Sequence, residues 1–131
     1  MYSFFGDPIE LELISRIDTE GNAENVHMTS DGVFVSCDDA GACFIPIESF
    51  LDSGSLYRFA EDFTVDHIAL KGDVACLSLG SKGIALYDIS DPRQPQEKGI
   101  FPLGYTYRSV FWEDKLLVCT REGIQVVSIE K

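Results

Sequence analysis

Apolar runs of a few residues recur along the chain, each closed by a polar or glycine-containing turn. No window keeps the 3.6-residue spacing of a helix over the length a helix needs, so the runs predict short β-strands. Three segments share one order: apolar strand, turn, apolar strand, glycine turn, apolar strand. The first runs from Val26-His27-Met28-Thr29 through Val33-Phe34-Val35-Ser36-Cys37 and Gly41 to Ala42-Cys43-Phe44-Ile45-Pro46-Ile47. The second runs from His67-Ile68-Ala69-Leu70 through Val74-Ala75-Cys76-Leu77-Ser78-Leu79 and Gly83 to Ile84-Ala85-Leu86-Tyr87-Asp88-Ile89. The third runs from Ser109-Val110-Phe111-Trp112 through Leu116-Leu117-Val118-Cys119-Thr120 and Gly123 to Ile124-Gln125-Val126-Val127-Ser128-Ile129.

Gly41, Gly83 and Gly123 are 42 and 40 residues apart, and each closes a hairpin that demands positive φ. A period near 40 residues filled by short strands predicts an all-β protein of β-propeller blades. A plain meander or sandwich also spaces its turns regularly, but recurrence of the whole three-strand unit argues against it. Fourth strands follow the first two units, at Leu56-Tyr57-Arg58-Phe59 and at residues 97–101. The third unit has none of its own, whereas an extra strand at residues 8–17 precedes the first. The chain therefore reads as one propeller-repeat domain over residues 1–131, with units at about 25–60, 65–101 and 107–129. Its strands make three four-stranded blades, one split between the two ends of the chain. Rings hold roughly four to eight blades, so the expected assembly is half of a six-bladed ring. A homodimer would close it, each amino-terminal strand completing the partner's last blade; a fragment of a longer propeller is the rival reading.

The stretch Gly83-Ile84-Ala85-Leu86-Tyr87-Asp88-Ile89-Ser90-Asp91-Pro92-Arg93-Gln94-Pro95 resembles the blade signature of the LVIVD-repeat propellers. In that family a glycine-started strand ends in Asp-Ile/Val-Ser-Asp-Pro, with a second proline before the next strand. Gly104-Tyr105-Thr106-Tyr107 and Gly123-Ile124-Gln125-Val126-Val127-Ser128-Ile129 fit it as well, so the resemblance covers residues 65–129. The first unit departs from it at residues 44–49, and its connector at residues 50–55 lacks both prolines. The resemblance implies blades and no particular activity. Physically, Ser90-Asp91-Pro92 offers side-chain oxygens to turn amides and a fixed φ.

Composition adds limits. The chain carries 22 acidic against 10 basic residues, a net charge of −12, which repels phosphate backbones and anionic lipid. Nucleic acid and membrane are therefore not expected as partners; a basic protein or a cation is compatible. The segment Met1 to Pro8 lacks a basic n-region and a long apolar core, and no run is long enough for a transmembrane helix. Cys37, Cys43, Cys76 and Cys119 lie far apart in the sequence and lack CxxC spacing, and Cys37, Cys76 and Cys119 sit in apolar, strand-like runs, so the four read as buried reduced thiols of a cytoplasmic protein.

Motifs for reaction chemistry are missing: the sequence has no P-loop, GxSxG, HExxH or EF-hand loop. Asp38-Asp39 reads as a solvated hairpin turn. His27 and His67 stand at the start of successive first strands, within one register position of each other. Innermost strands line a propeller's axial channel, so these histidines predict a funnel with Glu24, Asn25, Asp66, Tyr105, Tyr107 and Arg108. A ring homodimer would gather four histidines, which could ligate a metal. The leading expectation is a non-catalytic scaffold binding another protein, with no cofactor. The alternative is a small-ligand or metal-binding protein, or an enzyme, using the funnel around His27 and His67.

Overall fold

Turn chemistry divides the chain into antiparallel meanders. The computed structural model describes residues 2–4, 7–51 and 54–129. A hairpin of β1 (Tyr2–Phe4) and β2 (Asp7–Ile9) comes first. Sheet I follows as β3 (Asn25–Met28), β4 (Gly32–Ser36), β5 (Ala42–Pro46) and β6 (Tyr57–Phe59), with a 3-10 turn at Ile47–Phe50. Sheet II is β7 (His67–Lys71), β8 (Val74–Ser78), β9 (Ile84–Asp88) and β10 (Gln96–Phe101). Sheet III has β11 (Thr106–Trp112), β12 (Lys115–Thr120) and β13 (Gly123–Ser128). The protein is thus all-β, its three main sheets are open rather than closed into a barrel, and no α-helix occurs among the described residues. No helix among them is long and apolar enough to cross a membrane.

Each hairpin between second and third strands turns on the glycine its sequence position suggested, at φ of 82° for Gly41 and 88° for Gly83. These two glycines carry a second constraint. A Cβ on Gly41 would run into the Ala60 carbonyl at the end of β6, and one on Gly83 into the Phe101 carbonyl at the end of β10. The fourth strand of sheets I and II therefore passes directly over the hairpin glycine. The link from β9 to β10 is set by side-chain oxygens: Asp88 Oδ1 accepts from the Ser90 amide at 2.8 Å and Asp91 Oδ1 from the Arg93 amide at 3.1 Å.

The sheets pack face to face, with β3 against β7 and β7 against β11. Strand alternation assigns one face to each seam. Phe34, Phe44 and Phe59 of sheet I meet Ile68, Ala75, Leu77 and Tyr87 of sheet II. Ala69, Cys76 and Ile84 on the other face of sheet II meet Leu116 and Val118 of sheet III. Phe34, Phe44, Ile68, Leu77 and Leu116 are fully buried, and burying each such side chain contributes about 1.5–3 kcal/mol. In sheet II the middle strand β8 is apolar on both faces because sheets I and III cover one face each.

Two sequence expectations change. Only Pro8 and Ile9 of the expected strand at residues 8–17 lie in a ladder, at the end of β2; residues 10–19 belong to no strand. Cys119, read as a buried thiol, is exposed, because it points to the outer face of sheet III that no other sheet covers. Cys37 and Cys43 are both buried, as read, with Sγ atoms 3.7 Å from each other. Residues 1, 5, 6, 52, 53, 130 and 131, which the terminal and connector readings touch, lie outside the described residues.

Candidate functional site

The first strands of the sheets lie side by side, which brings their starting residues into one neighbourhood. Strand register makes Asn25, His67 and Arg108 equivalent: they stand opposite Ser36, Ser78 and Cys119 of the second strands. His27 pairs with Phe34 and is two residues further along β3 than the equivalent of His67, not the single step the sequence suggested. The two imidazoles nevertheless meet, edge to face, with ring centroids 5.2 Å apart and planes at 87°. His67 is only 8% exposed.

Burial governs the chemistry of this pair. Desolvation lowers the pKa of His27, and burial pushes His67 down to about 4, helped by His27 and by the Arg108 charge. Both rings are therefore neutral at neutral pH. His27 Nε2, His67 Nδ1 and Asn25 Oδ1 are buried without a hydrogen-bond partner. Buried polar atoms usually find partners; these three stand on the neighbouring strands β3 and β7, and Ser78 Oγ and Ser109 Oγ are likewise unpaired.

The remaining residues of the expected funnel divide into two groups. Asp66 is half-buried, and its carboxyl is held above the usual range by desolvation, then by Asp38, Glu24 and Asp39. It lines a cleft with Thr64, Gly80, Lys82 and Tyr105. Tyr107 sits in the bulge at the start of β11 and is exposed; its hydroxyl accepts from Arg121 Nε at 3.4 Å. The Arg121 guanidinium lies 4.0 Å from the ring centre of Tyr105, whose ring is 5.3 Å from that of Tyr107. The structure thus brings His27, His67 and Asn25 together and places Tyr107 with Arg121. Sequence reasoning missed Arg121, whose only local signal is its position two residues before the hairpin glycine Gly123. No group of three or more His, Cys, Asp or Glu that could hold a metal ion occurs among the described residues of one copy.

A second feature is the outer face of sheet III. Val110, Trp112, Ile124 and Val126 all project from it and are all more than half exposed. The opposite end of the stack shows a smaller apolar surface, Val26 and Met28 of β3, beside the cluster of Val33, Val35, Cys43 and Ile45.

No family model matches the chain, and no curated protein matches it. Among solved structures it is similar to the computationally designed Ika4 protein, at 12% sequence identity and a TM-score of 0.60. The alignment covers 80% of this chain and 64% of the designed chain, so this protein spans less than two-thirds of that structure. At such identity the likeness is one of fold.

Proposed function

We propose that sheets I, II and III are three propeller blades, that a second copy completes a six-bladed ring, and that the ring is a non-catalytic scaffold for a protein partner. The observation that carries this reading is the uncovered apolar face of sheet III, with Val110, Trp112, Ile124 and Val126. Sheet I packs on sheet II and sheet II on sheet III through faces of the same kind. Repeating that step once more sets sheet III of one copy against Val26 and Met28 of the other copy's sheet I, and a twofold axis makes two such seams and closes the ring. The resemblance of residues 83–95 to the LVIVD-repeat signature supports blades. A net charge of −12 favours a basic protein segment as the partner over nucleic acid or anionic lipid. Sedimentation equilibrium at micromolar concentration tests the ring: the expected mass is twice the 14.5 kDa of the chain, and a stable monomer overturns the reading.

A second reading rests on the paired imidazoles. Their neutral rings and unpartnered nitrogens suit a divalent transition metal, and the twofold ring would supply two further histidines. Calorimetric titration with zinc or nickel should show saturable binding that His67→Ala abolishes. Absence of heat with the wild-type protein rules this reading out.

A further inference from the structure

The outer edge of β13 has no neighbouring strand among the described residues, whereas the same edge is taken by β6 in sheet I and β10 in sheet II. Three observations describe what is missing there. Gly123 keeps the hairpin glycine, at φ 125°, yet a Cβ on it would meet nothing within 4 Å. At Gly41 and Gly83 the same atom would strike the end of the fourth strand. Next, an apolar cleft of 330 Å³ opens between sheets II and III, lined by Ile84, Leu86, Phe101, Leu103 and Val127. A fourth strand of sheet III would stand opposite β10 and cover it. Last, an open edge with paired siblings is a template for another strand.

The chain also carries a segment that fits. Residues 10–17 belong to no strand, and Leu11, Leu13 and Ile14 are 93%, 80% and 78% exposed. Ile17 and Glu20 fix where this segment leaves the protomer. Ile17 packs on the outer face of sheet I against Val33, Val35, Cys43 and Ile45, and Glu20 pairs with Arg58 of β6 at 2.9 Å. That face is the one which meets the other copy's sheet III in the proposed ring. Spacing gives the register. Phe59, which pairs with the first residue of β5, stands eight residues before His67; Ile17 stands eight residues before Asn25, the equivalent of His67.

We infer that residues 10–17 of each copy form the fourth strand of sheet III in the other copy, antiparallel to β13. The inference rests on the ring reading above and specifies its partner and its contact. Ile17 lies opposite Ile124, Ser15 opposite Val126 and Ile14 opposite Val127, where Ile14 enters the apolar cleft. The two copies thereby exchange strands, and each last blade is built from both chains.

Two measurements on the full chain test it. The double variant Ser15→Cys/Val126→Cys, in a Cys119→Ser background that removes the exposed native thiol, is treated with oxidised glutathione. A covalent dimer on denaturing, non-reducing gels is expected, and neither single cysteine variant should give it. Hydrogen exchange on the unmodified protein is the second measurement. Amides within residues 10–17 should exchange on the order of a hundredfold slower than in a free chain, and Ile14→Asp should release them. A wild-type monomer overturns both this inference and the ring. A wild-type dimer with unprotected residues 10–17 and no covalent product overturns strand exchange alone and leaves the ring standing.

Discussion

His67 shows how a single side chain is set by its position in a stack of sheets. It begins β7, the first strand of sheet II, loses most of its water to neighbouring strands, and meets a second imidazole rather than a carboxylate. With no counter-charge to favour the cation, its pKa falls to about 4. The consequence for stability has a definite sign. Below the ordinary histidine value of 6.5 the unfolded chain takes up a proton that the folded chain refuses, so stability falls as pH drops from 6.5 towards 4 and is unaffected above that window. At pH 5 the loss is about 2 kcal/mol. Asp66, held above the usual carboxylate range, works in the opposite direction in acid, so the comparison needs a variant that keeps it. His67→Asn, which installs the side chain found at the equivalent Asn25, should lose less stability than wild type between pH 7 and pH 5 in urea titrations. Parallel losses in the two proteins would refute the assignment to His67.

At the scale of strands and sheets, legibility follows how local the cause is. Gly41 and Gly83 announced their hairpins because positive φ is a property of one residue, and Ser90-Asp91-Pro92 announced the link to β10 because its hydrogen bonds span two residues. The order of strands in the two complete sheets was readable for the same reason. Which face of a strand is covered was not. In β12 both faces are apolar in sequence, yet Leu116 and Val118 are buried while Cys119 is exposed, and the difference is made by Ala69, Cys76 and Ile84 of sheet II, each more than thirty residues away in the chain. The histidine register slipped by one place because Asn25, not His27, is the equivalent of His67, and that emerges only once Asn25 is seen opposite Ser36. Cys37 and Cys43 lie on either side of the Gly41 hairpin, a local signal that spacing arguments aimed at CxxC motifs pass over. The segment at residues 10–17 reads as a strand by its apolar content, but a strand needs an edge to pair with, and within its own protomer the segment pairs with none of the described strands.

At the scale of the whole molecule, charge and apolar surface oppose each other. Two copies carry −24 between them, twice the −12 of one chain, and bringing them together costs long-range repulsion. Arg16, Arg58, Arg93 and Lys115 already pair with carboxylates of their own chain, so these four are not free to offset that cost across a seam. In the proposed ring the attraction comes from Trp112, Ile124, Val126 and the residues that would cover them, and burial of apolar area is insensitive to moderate salt. The screening length shortens from about 30 Å at 10 mM to about 8 Å at 150 mM salt, which removes most of the repulsion and leaves the apolar term in place. Sodium chloride should therefore tighten the dimer, by roughly tenfold over that range, measured as the dissociation constant from sedimentation at several protein concentrations. An association built on ion pairs between the copies would weaken over the same range. A dimer that salt dissociates would accordingly place the contact somewhere other than the uncovered face of sheet III.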